Sequence, residues 1–104
     1  MSYDSHIIVF KYLNILFSRM KTPEQLYAFI LTSKVRKNVL IALLKNPLRQ
    51  TEIAKKIKQK QPNISLILHD LEKEQLIECL TPEKKAWKVY SITPTGKIVI
   101  NKFM

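Results

Sequence analysis

Up to Lys73 the apolar residues of this chain recur every three or four positions; from Leu76 they alternate instead. That change of period constrains the fold more than any other feature. A succession of short helices must hand over to a pair of strands. With 104 residues in all, there is room for one principal core.

The boundaries are marked by capping chemistry. In residues 5–20, Lys11, Asn14 and Ser18 form one polar stripe on an otherwise apolar helix. Thr22-Pro23-Glu24-Gln25 reads as an N-cap, a proline at the first helical position and a capping-box glutamine, which predicts a helix through Leu31. Thr32-Ser33 offers the next cap, ahead of Val35, Val39, Leu40 and Leu43 at helical spacing, with a stop at Asn46-Pro47. A third helix is predicted from Gln50 or Thr51, burying Ile53, Ala54 and Ile57. The turn Lys58-Gln59-Lys60 precedes Gln61-Pro62, and Ile64, Leu68 and Leu71 mark the buried face of a fourth. Leu76–Leu80 and Trp87–Ile92 read as strands joined by a charged tip, and Thr93-Pro94 caps a closing helix over Thr95–Met104.

Charge is unevenly placed. The net +10 concentrates in residues 34–60, where nine cations face Glu52 alone, while residues 61–80 carry −3 and residues 81–104 carry +4. Two basic blocks around an acidic one point to an anionic partner.

Several functions fall away. The single glycine, Gly96, excludes glycine-rich phosphate loops. Cys79 is the only cysteine, so an internal disulfide is impossible, and Cys79, His6 and His69 are too scattered for a metal site. Neighbours His69 and Asp70 point about 100° apart on a helix, and no nucleophile accompanies them. No enzyme activity, metal or cofactor is expected. The longest apolar run, Leu26–Leu31, is six residues, against about 20 for a membrane span. The N-terminus lacks a signal-peptide pattern, so a cytoplasmic location is expected.

The order of elements, together with particular residues, resembles the DNA-binding core of ArsR- and MarR-type transcriptional regulators over residues 33–96. The matching stretches are Ser33-Lys34-Val35-Arg36, Pro47-Leu48-Arg49-Gln50-Thr51-Glu52-Ile53-Ala54, Gln61-Pro62-Asn63-Ile64-Ser65 followed by Leu68, Leu71-Glu72-Lys73 and Leu76-Ile77, and finally Ile92-Thr93-Pro94-Thr95-Gly96-Lys97. The resemblance implies a mainly α fold with a small β-hairpin, a winged helix-turn-helix, over residues 32–104, preceded by a helical extension over residues 1–31. It also implies binding to double-stranded DNA. A helix that enters the major groove by its N-terminus would present Gln61, Asn63, Ser65, Leu66 and His69 to base edges, Gln and Asn favouring adenine. Lys34, Arg36, Lys37, Arg49, Lys55, Lys58 and Lys60, with Lys84, Lys85 and Lys88 on the wing, would meet phosphate or enter the minor groove. The chain departs from the family pattern in two places: Leu66-Ile67 replaces a polar or basic pair, and Gln75 stands where a glycine ends the reading helix. One of Leu66 and Ile67 is expected in the core, leaving the other to a thymine methyl or a protein.

Six of the nine aromatic residues lie before residue 30, more apolar surface than a small winged domain covers. This predicts a homodimer through Ile8, Tyr12, Ile15, Leu16, Phe17 and Tyr27, reading two half-sites about one DNA turn apart. The expected function is a sequence-specific regulator, a repressor rather than an activator, with no membrane role and no recognisable effector site. Two alternatives stand beside it: a protein-interaction winged helix in a transcription or replication assembly, and a nonspecific architectural DNA binder.

Overall fold

A computed structural model of the chain describes residues 21–103. The expected helix over residues 5–20, and with it the interface residues Ile8, Tyr12, Ile15, Leu16 and Phe17, lies outside the described residues.

Five helices and three short strands follow in the order α1 (Pro23–Leu31), α2 (Lys34–Leu43), β1 (Leu48–Arg49), α3 (Gln50–Ile57), α4 (Gln61–Lys73), β2 (Ile77–Cys79), β3 (Val89–Ile92) and α5 (Pro94–Asn101). Three of the helices start on a hydroxyl. Thr22 Oγ1 accepts from the Gln25 N–H at 3.2 Å, and the Gln25 side chain returns the bond to the Thr22 N–H at 2.9 Å, completing the box predicted from sequence. Ser33 Oγ accepts from the Arg36 N–H and Thr93 Oγ1 from the Gly96 N–H. At α3 the Arg49 N–H donates to Glu52 Oε1 at 2.9 Å.

The ends of α3 and α4 turn through residues in the left-handed region, Lys58 (φ 57°) and Gln75 (φ 59°). Both are Schellman ends. The Gln59 N–H donates to the Ala54 carbonyl, and the Leu76 N–H donates to the Leu71 carbonyl at 3.0 Å. Gln75 thus takes the left-handed conformation that a glycine would adopt more easily there.

The sheet is antiparallel with β3 in the centre. Ile77 pairs with Ile92 and Cys79 with Tyr90 on one side, and Leu48 pairs with Tyr90 on the other. The strands are shorter than the alternation predicts: Leu76 is consumed by the Schellman turn, and Trp87 and Lys88 stand outside the ladder. β1 is absent from the sequence-based reading. The closing helix also stops earlier, at Asn101 rather than Met104.

One apolar core joins all the layers. Val39, Leu40 and Leu43 of α2, Ile53 of α3, Ile64, Leu68 and Leu71 of α4, then Leu76, Ile77, Ile92 and Ile100, are buried in it. Leu26 and Ile30 of α1 belong to the same cluster. Apart from Tyr90, no polar or charged side chain is buried among the described residues. Gly96 marks the tightest approach, because a Cβ there would collide with the Leu76 carbonyl and stand 2.7 Å from Ile92 Cγ1. The architecture is a winged helix-turn-helix: α3 and α4 form the turn motif, and the β2–β3 hairpin forms the wing. Among the described residues no helix is long and apolar enough to cross a membrane.

Candidate nucleic-acid interface

The geometry of α4 follows from its apolar spacing. Ile64, Leu68 and Leu71 point into the core, so Gln61, Asn63, Ser65, Leu66 and His69 are all exposed. Of the apolar pair, Ile67 packs against the core and Leu66 remains 67 % exposed near the middle of the outward face. The Asn63 amide is oriented by a bond from its Nδ2 to Gln59 Oε1 at 2.7 Å. One amide hydrogen and the Oδ1 acceptor remain for a ligand. The left-handed turn at Lys58 and the extended backbone of Lys60 set exposed lysines at the leading end of this helix. There the helix dipole adds positive potential.

The wing comes to the same end of the molecule. A cleft of about 390 Å³ is lined by Arg49, Gln50, Gln61, Lys85, Trp87 and Lys88, so α3, α4 and the wing all contribute to it. The Gln50 N–H donates to the Lys88 carbonyl at 3.3 Å, tying the wing to the start of α3. Trp87 is 46 % exposed, with the Arg49 guanidinium 5.6 Å and the Lys84 ammonium 5.1 Å from its ring centroid. Gln50 and its neighbour Thr51 also line the cleft, beyond the residues expected from the sequence. The sequence signal for them is their place in the first turn of a helix, where the dipole is positive.

The structure brings Gln61, Arg49, Lys85 and Lys88 together around the cleft, while Lys58 and Lys60 sit at the α3–α4 turn. Lys55 and Lys34 are exposed on α3 and α2. Two cations are otherwise engaged. The Lys37 ammonium lies 5.5 Å from the Phe103 ring, next to the Tyr27–Phe103 stack at 4.7 Å. Arg36 is held inside the fold, stacked over Phe29 at 3.9 Å and donating to the Phe29 carbonyl at 3.0 Å.

Arg36 also accounts for part of the acidic block. Its Nη2 is 3.6 Å from Asp70, and Lys21 pairs with Glu74 at 3.0 Å. Asp70 and Glu74 are one turn apart at the C-terminal end of α4, so half of the four carboxylates in residues 61–80 are neutralised, one by Arg36 of α2 and one by Lys21 just before the N-cap of α1. The outward face keeps its polar and cationic character. Among the described residues no three His, Cys, Asp or Glu side chains gather as a metal site.

No protein-family profile and no curated protein matches the chain. Solved structures do. The transcriptional regulator PcaV from Streptomyces coelicolor is similar with a TM-score of 0.63 at 20 % identity, over 68 % of this chain and 54 % of that one. The present chain therefore spans about half the length of PcaV. The MepR–DNA complex of S. aureus is similar at a TM-score of 0.63 and 19 % identity, over 92 % of this chain and 79 % of that one. TubR from Bacillus thuringiensis serovar israelensis, bound to 24 bp of tubC, gives a TM-score of 0.69 at 16 % identity, over 81 % and 94 % of the two chains. The likeness is one of fold: this chain is a winged helix-turn-helix.

Proposed function

We propose that the chain is a sequence-specific, double-stranded DNA-binding regulator of transcription that acts in the cytoplasm as a homodimer, and as a repressor rather than an activator. The observation that carries this reading is the outward face of α4, where Gln61, Asn63, Ser65, Leu66 and His69 are exposed beyond the lysines of the α3–α4 turn and beside the wing cleft. Hydrogen-bonding side chains at the head of a helix suit base edges, and surrounding cations suit phosphate. Lys58, Lys60, Lys84, Lys85, Lys88 and Arg49 are the proposed phosphate or minor-groove contacts, with Lys34 and Lys55 at their margin. Arg36 and Lys37 are left out because the fold already uses them. Residues 32–104 are the DNA-reading unit. Residues 1–31 are the dimerising extension, through Ile8, Tyr12, Ile15, Leu16, Phe17 and Tyr27. MepR and TubR, both solved with DNA, support the reading by analogy of fold.

Selection from random duplexes at two salt concentrations tests it. The expected result is an enriched palindrome and an affinity that falls steeply with salt, each phosphate contact adding about −0.9 to the logarithmic slope. Gln61→Ala with Asn63→Ala is expected to cost about 1–3 kcal/mol per lost bidentate contact and to relax the motif, whereas Lys58→Ala is expected to lower the slope by about one. Sedimentation at micromolar concentration is expected to give twice the 12.2 kDa chain mass. Binding without a motif would make this an architectural DNA binder, and no binding at low salt would sink the reading.

A further inference from the structure

Among the described residues Leu66 is 67 % exposed and stands near the middle of the α4 face most open to solvent. Apart from Pro62, its neighbours on that face are polar. Asn63 precedes it by three positions and His69 follows by three, the spacing at which helical side chains lie side by side. A single leucine among hydrogen-bonding groups is a poor docking groove for a protein, which needs a contiguous apolar patch. It is a close match to the major-groove edge of an A·T pair. That edge offers adenine N6 and N7 to an amide and, beside them, one apolar group, the thymine C5-methyl.

Building on the DNA-binding reading above, we propose that Leu66 is a specificity residue that reads a thymine methyl, one or two base pairs from an adenine read by Asn63. Spacing supports the pairing: side chains three apart on a helix have Cβ atoms about 5–6 Å apart, and base pairs rise about 3.4 Å. Asn63 is already aimed, since its bond to Gln59 leaves one N–H and Oδ1 for the adenine. Leu66 then sits over the neighbouring step. The consequence is a half-site in which a thymine cannot be exchanged for a cytosine, or for a uracil, without loss.

The test uses the duplex recovered by selection, with each thymine replaced in turn by deoxyuridine, which keeps the base pair and removes only the methyl. Wild-type protein is expected to lose about three- to five-fold in affinity at one thymine per half-site, the effect of taking one methyl out of contact. Leu66→Ala is expected to bind the two duplexes equally and to keep its other base preferences. The side chain is exposed, so its removal leaves the core untouched, which a circular dichroism melt checks. If Leu66→Ala still tells thymine from uracil, or wild type never does, this inference is overturned while DNA reading by α4 survives. If no motif is recovered at all, both fall.

Discussion

The guanidinium of Arg36 lies over the ring of Phe29, 3.9 Å from its centroid, and bonds to the carbonyl of the same residue. The fork thus joins α2 to α1 and, through Asp70, to α4. Arg36→Ala is expected to lower stability by about 1–3 kcal/mol in urea unfolding, through the lost stacking over Phe29 and the lost bond to its carbonyl, which keeps only the Thr32 hydroxyl as a donor. Arg36→Lys is expected to recover only part of that, because an ammonium cannot stack and fork at once. A variant with unchanged stability but weakened DNA binding would instead place Arg36 on phosphate.

Gly96→Ala is expected to cost about 2–3 kcal/mol, since the added methyl runs into the Leu76 carbonyl and Ile92 Cγ1. The backbone there is ordinary helix, so the penalty comes from crowding alone. A urea midpoint equal to wild type would show that α5 can slide away from the sheet.

Gln75→Gly is expected to stabilise the protein by about 0.5–1 kcal/mol, because the left-handed turn at φ 59° suits glycine better than any side chain. Gln75 is exposed, and the carbonyl it offers to Thr93 Oγ1 belongs to the backbone, so nothing else is lost. Thermal unfolding should rise by a few degrees, given about 4–8 °C per kcal/mol in domains of this size.

Tyr90 sets an alkaline limit. Burial raises the pKa of its hydroxyl above the ordinary value, and the negative charges of Cys79 and Glu72 add to the effect. The folded state holds the proton more tightly than the unfolded one, so this contribution is complete below about pH 10 and is lost as pH rises through the tyrosine range. Stability measured between pH 8 and pH 11 is expected to fall more steeply in wild type than in Tyr90→Phe. Parallel curves would remove Tyr90 as the cause.

Much of this was legible beforehand because its causes are local. The caps at Thr22, Ser33 and Thr93 bond to residues three positions away, and the outward face of α4 follows from Ile64, Leu68 and Leu71 by helical geometry. What escaped depends on distant partners. Leu48-Arg49 becomes a strand only because Val89 and Tyr90 run beside it, and two residues carry no period of their own. Net charge could not distinguish Arg36, which the fold consumes, from Lys58 or Lys60, which stay exposed. Nor could it show that Asp70 and Glu74 turn toward cations on other segments.

The wing is secured at several points along its length. The Leu80 N–H meets the Val89 carbonyl at 2.8 Å, the Val89 N–H meets Thr81 Oγ1 at 3.0 Å, and the Lys88 carbonyl is fastened to α3. Ordering a free backbone takes about 1–2 kcal/mol per residue, and here that entropy is lost during folding. A polyanion that meets this hairpin encounters a shape already set. Calorimetry of the encounter should therefore lack the large negative heat-capacity change of a segment that folds as it binds, and any misfit would have to be taken up by the polyanion.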